Sequence, residues 1–342
     1  MHDRDCLHRF VFEHYPIRGH LVHLDAAWQA LIEHREYPDA IRTILGEAVA
    51  AALLLAATVK FDGVLSLQLQ GDGPVHLLLA QCTSGLGVRG LARYRDAGEG
   101  GETDQRGEFA EGREADAGGA GLMRSAAAER GAAGESGEAG GGGVDDIGVL
   151  VGAGNLTVTL ETDDGAQRYQ GIVPISAGRL AQSLQVYFEN SEQLPTRLWL
   201  YADAHGASGM LLQRLPDGGG GSQASAAEID DAWRRVQLIG DTLTREELRT
   251  LADAEILHRL FNEDDLRLFE PAPVYFRCRC SRERVGGMLL GLGEAETASV
   301  LRERGEVEVR CDFCNRAYVF DAVDVARLFN TGVSSDGGGT VH

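Results

Sequence analysis

Lysine is almost missing from this sequence. Lys60 is the only one among 342 residues, and no G-x-x-x-x-G-K-[ST] occurs, which excludes a phosphate-cradling P-loop. Basic residues are scarce as a group: 32 Lys and Arg against 52 Asp and Glu leave a formal charge of −20. A chain so acidic disfavours nucleic acid and anionic membrane as partners and stays soluble at high concentration. Long apolar runs are absent too. The longest, Ala48–Val59, has twelve residues, where a membrane span needs about twenty. Met1–Phe12 mixes charges with a histidine and lacks the apolar centre of a signal peptide. These absences point to a cytoplasmic, reducing compartment, where structural disulfides are rare.

Cysteine is sparse but clustered. Four of the six form two short pairs, Cys278-Arg279-Cys280 and Cys311-Asp312-Phe313-Cys314, thirty residues apart. Two such pairs on separate turns can bring four soft ligands to one point, which is what a tetrahedral zinc ion requires. The alternatives are two local disulfides or buried free thiols. Oxidation would most easily join the near neighbours Cys278 to Cys280 and Cys311 to Cys314. Loops that short constrain the unfolded chain very little. The remaining thiols, Cys6 and Cys82, are expected to be ordinary packed or surface cysteines. The expectation is therefore one zinc ion per chain in the reduced form, held by Cys278, Cys280, Cys311 and Cys314.

Periodicity divides the chain into an N-terminal α+β domain (1–217), a joint and helical linker (218–273), a small C-terminal zinc-binding α/β unit (274–330) and a disordered tail (331–342). In the first domain, Leu7–Phe12 and Ile17–Val22 read as strands, and Asp25 is placed to cap a helix carrying Trp28 and Leu31. A helix from Asp39 to Lys60 is apolar nearly all round and belongs in the middle of the domain. Val64–Gln70 alternates cleanly and opens an antiparallel meander through Val75–Gln81 and Leu86–Arg95. Further strands are expected at 147–151, 155–161, 168–173, 197–202 and 208–215, completing one mostly antiparallel sheet, with an amphipathic helix over 177–191. Residues 97–143 hold 15 of the 45 glycines and few apolar side chains. They cannot bury a core and read as a disordered insert.

Gly218–Gly221 reads as a flexible joint. Beyond it, 226–269 forms helices whose apolar positions include Trp233, Leu251, Leu257 and Phe261, and which need a surface to lie on. The last unit has 57 residues, too few for a robust core without a staple, and zinc supplies one. Its nine acids and nine bases leave no basic face for nucleic acid.

Several longer motifs resemble one family, the 33 kDa chaperonins, redox-regulated holdases of bacteria. They are Phe276-Arg277-Cys278-Arg279-Cys280-Ser281, Cys311-Asp312-Phe313-Cys314 and the run Tyr187-Phe188-Glu189-Asn190-Ser191-Glu192-Gln193-Leu194-Pro195-Thr196. Tyr169-Gln170-Gly171-Ile172-Val173, Gln68-Leu69-Gln70-Gly71-Asp72-Gly73-Pro74 and Leu257-His258-Arg259-Leu260-Phe261 match as well. The resemblance spans nearly the whole chain apart from 97–143 and the last dozen residues. It implies an ATP-independent chaperone, not an enzyme, that is inactive when reduced and zinc-bound. Oxidation would then form two disulfides within Cys278, Cys280, Cys311 and Cys314, release zinc, unfold the C-terminal region and let a homodimer bind unfolded or oxidatively damaged clients. Trp233, Leu251, Leu257 and Phe261 would contribute to client binding.

Two other readings remain at this level. One is a zinc-ribbon interaction module without redox switching. The other is a thiol-disulfide oxidoreductase using Cys311 and Cys314, which requires the pair to open a helix after a strand. Residues 97–143 generate a separate expectation: deleting them leaves cooperative thermal unfolding and function intact, because loops without apolar pattern are replaceable at little cost. Aggregation or loss of cooperative unfolding in the shortened chain would show the segment to be structural.

Overall fold

A computed structural model describes residues 4–33, 35–95, 146–165, 168–175, 178–216 and 224–332. Residues 97–143, Gly218–Gly221 and 333–342 lie outside the described residues, so the expectations for them stand untested. The body is built around one helix, α2 (Asp39–Thr58), held between two six-stranded sheets. It is the only helix among the described residues long and apolar enough to cross a membrane, and it is buried in this core.

The expected single sheet is in fact two. The first contains β1 (Cys6–Phe12), β2 (Ile17–Leu24), β8 (Thr196–Ala202), β9 (Ala207–Arg214), β10 (Leu266–Leu268) and β11 (Ala272–Pro273). Its order is β10-β1-β2-β9-β8, and β11 also pairs with β1. The second contains β3 (Gly63–Gly71), β4 (Val75–Thr83), β5 (Gly87–Tyr94), β6 (Gly154–Thr162), β7 (Arg168–Pro174) and β12 (Tyr275–Phe276), in the order β12-β5-β4-β3-β6-β7. The division follows from α2, whose apolar surface runs all round and needs a cover on two sides.

The two sheets differ in burial. β3 alternates, with Leu65, Leu67 and Leu69 turned to α2, the pattern of a sheet covered on one face. β2 and β9 are buried along almost their whole length. One face of this sheet packs on α2. The other carries Phe10, Phe12, Ile17, Leu21, Met210 and Leu212 into a second core. The linker helices α5 (Ala226–Gly240), α6 (Arg245–Thr250) and α7 (Asp253–Phe261) cover that face with Trp233, Val236, Leu248, Ile256, Leu257, Leu260 and Phe261. Gly19 permits the contact, because a Cβ there would lie 2.0 Å from the Phe10 ring.

Two local expectations change. Residues 147–151 form a short helix, α3 (Ile147–Val151), rather than a strand. A short apolar run does not distinguish the two, and the Asp146 carboxylate decides it by accepting from the Gly148 amide at 2.8 Å. Asp25 does not cap α1 (Ala26–Ile32) with its side chain. The β1–β2 hairpin brings Asp5 to that helix end, where its carboxylate accepts from the amides of Asp25, Ala26 and Ala27 at 3.0, 3.0 and 2.8 Å. The helix expected over 177–191 is α4 (Leu180–Tyr187) followed by one wider turn, Phe188–Glu192, closed by Gln193 at φ 54°. Ser191-Glu192-Gln193 is thus a helix end.

The C-terminal unit folds as expected, with α8 (Arg282–Leu292), α9 (Glu294–Arg304), β13 (Val307–Arg310), β14 (Ala317–Phe320) and α10 (Ala322–Gly332). Ser281 caps α8 and Asp321 caps α10. α10 reaches Gly332, so the first two residues assigned to a tail belong to it. Leu292, at the end of α8, is exposed.

The α1 cap is testable. Asp5→Ala is expected to lower stability by about 1–2 kcal/mol, the upper range for a lost cap. Asp25→Ala should cost less, since its ion pair with Arg4 is long and solvent-facing. Equal shifts in urea midpoint for the two variants would contradict the assignment.

Candidate metal centre

Cys278 and Cys280 follow β12 directly and precede the cap of α8. Cys311 and Cys314 sit in the turn of the β13–β14 hairpin. That turn is closed by the Cys311 amide donating to the Arg316 carbonyl at 3.0 Å and the Asn315 amide donating to the Cys311 carbonyl at 2.8 Å. Asn315, at φ 52°, supplies the left-handed residue this tight return needs. The four sulfurs converge: Cys278 to Cys280 is 3.3 Å, Cys278 to Cys311 3.5 Å and Cys280 to Cys314 3.4 Å. No pair is bonded. Four sulfurs at zinc-like distances around one ion would be about 3.8 Å apart. The cluster is therefore close to the size of a single tetrahedral metal site, and its donor set suits a soft or borderline ion.

The electrostatics within the cluster are uneven. Burial and hydrogen bonds from neighbouring thiols push Cys278 up. Burial also opposes ionisation of Cys280, but the Tyr318 hydroxyl donates to its sulfur at 3.1 Å, and with the other thiols this brings it down to about 7. Tyr318 thus supports a thiolate from outside the ligand set. The core beneath is small: Val285, Leu289, Val307, Tyr318, Phe320 and Val325, with Cys280 and Cys311 packed against it. A domain of this size gains much of its stability from a staple.

The residues between the second pair are contacts with the body. Asp312 accepts from Arg93 at 2.8 Å and lies 3.6 Å from Arg35. The Arg89 guanidinium sits 4.0 Å above the Phe313 ring. The Cys278 side is tied by β12, which runs parallel to β5, and by the Arg277 amide donating to the Val88 carbonyl at 2.9 Å. Both thiol pairs are thus sewn to the edge of the second sheet. Sequence reasoning missed Arg35, Arg89 and Arg93. One signal was available: Arg89 and Arg93 are four apart on one strand and so share a face.

Cys311 and Cys314 lie between two strands of a hairpin and do not open a helix, so the pair lacks the setting that activates an oxidoreductase thiol. Cys82 is buried in the main core, where burial pushes its thiol up to about 12. Cys6 lies 3.8 Å from the His8 Nδ1. The linker residues Trp233, Leu251, Leu257 and Phe261 are not near the thiols. All four belong to the core shared with the first sheet, where the Phe12 and Phe261 rings meet edge to face at 5.3 Å.

An α+β body, an apolar sheet face under helices and an appended four-thiol unit define a two-sheet protein that carries a candidate thiolate metal centre. The profile of the family described as Hsp33 protein matches residues 5–321. A 33 kDa chaperonin of Methylobacillus flagellatus is 41% identical over 339 residues, covering 99% of each chain. One from Nitrosococcus oceani is 40% identical over 342 residues, covering 100% of both. The crystal structure of the 33 kDa chaperonin from Thermotoga maritima shares the fold, with a TM-score of 0.69 at 20% identity over 96% of this chain and 99% of that one. The chain belongs to the Hsp33 family. It is a redox-regulated holdase chaperone that binds client proteins, and not an enzyme.

The docking contacts can be removed without touching a thiol. Replacing Arg89 and Arg93 together by Ala removes one ion pair and one cation–π contact across the seam, together about 1–2 kcal/mol, and, within the sheet, the Arg89 hydrogen bond to Gln81. Hydrogen exchange at the Tyr275 and Arg277 amides, which donate to the Leu86 and Val88 carbonyls, is then expected to rise roughly 5- to 30-fold with metal stoichiometry unchanged. Unaltered exchange would mean that these contacts do not hold the unit.

Proposed function

We propose that the reduced chain holds one zinc ion on Cys278, Cys280, Cys311 and Cys314, and that this ion keeps the chaperone off. Bound there, zinc supplies the cross-link that the small core of 274–330 lacks, a contribution on the order of 10 kcal/mol or more. A whole domain has only about 5–15 kcal/mol. Peroxide or hypochlorous acid oxidises one thiolate of a pair to a sulfenic acid. The second thiol attacks that sulfur and water leaves, giving a disulfide with no ligand left.

The sulfur distances do not select the pairing, since 3.3, 3.4 and 3.5 Å are alike. Chain proximity favours Cys278–Cys280 and Cys311–Cys314, because once the unit loosens, the nearest neighbours in sequence have the smallest loop to close. These loops do not tie the hairpin to the segment before α8, so 274–330 unfolds.

One observation carries the next step: α5–α7 and the first sheet bury each other's apolar faces. Loss of the C-terminal unit frees the chain after β12, and with it the hold on the linker. Release of the linker exposes both faces at once, and such a surface takes up unfolded chains. It also favours a homodimer in the active form. The functional division is a client-binding body (1–217), a metastable linker (218–273) and a redox unit (274–330) that extends to the end of α10. The acidic surface keeps the loaded complex soluble in the cytoplasm.

Suppression of client aggregation, followed by light scattering, is expected to be weak for the reduced zinc-bound chain and strong after peroxide. Equal activity in the two states would end this reading. Leu257→Glu places a carboxylate in the shared core and should release part of the activity without oxidant. Separately, changing all four clustered cysteines to Ser should abolish the charge-transfer absorption of a four-thiolate cobalt centre.

A further inference from the structure

We propose that Cys6, His8 and Asp253 form a second metal site, for a divalent ion of zinc-like chemistry, at the seam between α7 and the first sheet. Cys6 and His8 are two residues apart on β1 and so share a face, the one that the linker covers. Asp253 is the first residue of α7, which lies on that face. One ligand atom from each of the three lies within 4.8 Å of the others. The Cys6 sulfur is 3.8 Å from the His8 Nδ1, and that nitrogen is 2.5 Å from the Asp253 Oδ2.

The surroundings are built as a metal site requires. The second carboxylate oxygen of Asp253 is 2.6 Å from the His23 Nε2. His23 stands opposite Cys6 in the β1–β2 register, and its Nδ1 is 3.1 Å from the Ser208 hydroxyl on β9. His23 thus stands within ion-pair distance of the far carboxylate oxygen, a placement from which a second histidine can orient a ligating carboxylate. The Asp253 and His23 side chains are 5% and 3% exposed, whereas His8 is 18% exposed and gives an ion a way in.

A thiolate, an imidazole and a carboxylate suit zinc or cobalt and disfavour magnesium or calcium, which take oxygen ligands. Nitrogen and oxygen ligands on one tetrahedral ion stand about 3.3 Å apart. His8 and Asp253 must therefore separate by under about 1 Å from their 2.5 Å contact. Three bonds to the ion form. Cys6 gives its thiol proton to solvent, and the proton between the His8 Nδ1 and Asp253 leaves Nδ1, the neutral ring then carrying its single proton on Nε2 and any excess proton going to solvent. Three protein ligands leave one position for water, so this site exchanges its ion more readily than the four-thiol cluster. The site ties the linker to the body independently of the redox unit, and the proposal does not depend on the redox reading.

The test is a cobalt titration of the reduced, metal-free, full-length chain, with bound metal counted by equilibrium dialysis. Two equivalents are expected. Cys6→Ser, His8→Gln and Asp253→Asn should each bind one, with the four-thiolate absorption intact as proof that the rest is folded. The chain with Ser at all four clustered cysteines, whose linker is less firmly held, should still take up one equivalent, at higher cobalt concentration and with a single-thiolate spectrum, so failure of one site is distinguishable from failure of the other. Zinc beyond the first equivalent should slow hydrogen exchange over 253–261 in the unaltered chain and not in Cys6→Ser. Saturation of the unaltered chain at one equivalent, or a second equivalent that survives all three substitutions, would overturn the proposal.

Discussion

The structure depends on a sheet that is buried on both faces. β2 and β9 press one side against α2 and the other against α5–α7. Apolar residues on both sides of a strand are stable only while both covers stay in place. The inner cover is a helix enclosed by two sheets. The outer cover consists of amphipathic helices held by an apolar stripe and ion pairs, such as the part-buried bidentate Arg235–Asp264 pair at 2.8 and 2.6 Å. The outer layer is thus the less enclosed of the two covers.

Under the proposed function, the thiol cluster acts on that layer from a distance. It sits at the edge of the second sheet, while the linker lies on the first. The connection is the chain itself. After α7 it pairs with β1 as β10 and β11, buries Val274 in the main core, pairs with β5 as β12, and enters Cys278. Asp312 and Phe313 make the redox loop and the docking surface the same few residues. A change in sulfur chemistry cannot leave that contact geometry untouched.

Much of this was legible in the sequence. The thiol pairs, α2, the alternating β3 and the caps at Ser281 and Asp321 all carry local signals that tertiary contacts did not override. The amphipathic linker was visible, but its resting place was not. A buried outer face on β9 reads in sequence only as a continuous apolar run, and nothing local says what covers it. The Asp5 cap, the β10–β12 strap and the Arg89, Arg93 and Asp312 contacts join residues far apart in the chain, which periodicity cannot pair. Asp253 beside His8 and His23 is of the same kind. Each residue alone is unremarkable, and only the docking of α7 brings them together.

The strap is not one ladder but three. β10 aligns three residues with β1, β11 two with the same strand, and β12 two with β5. A single long strand would have to break its hydrogen bonds in one cooperative event. Three short ones can open in succession, so no single step has to break all the hydrogen bonds at once. The geometry thus lets the closed form give way by stages and not in one event.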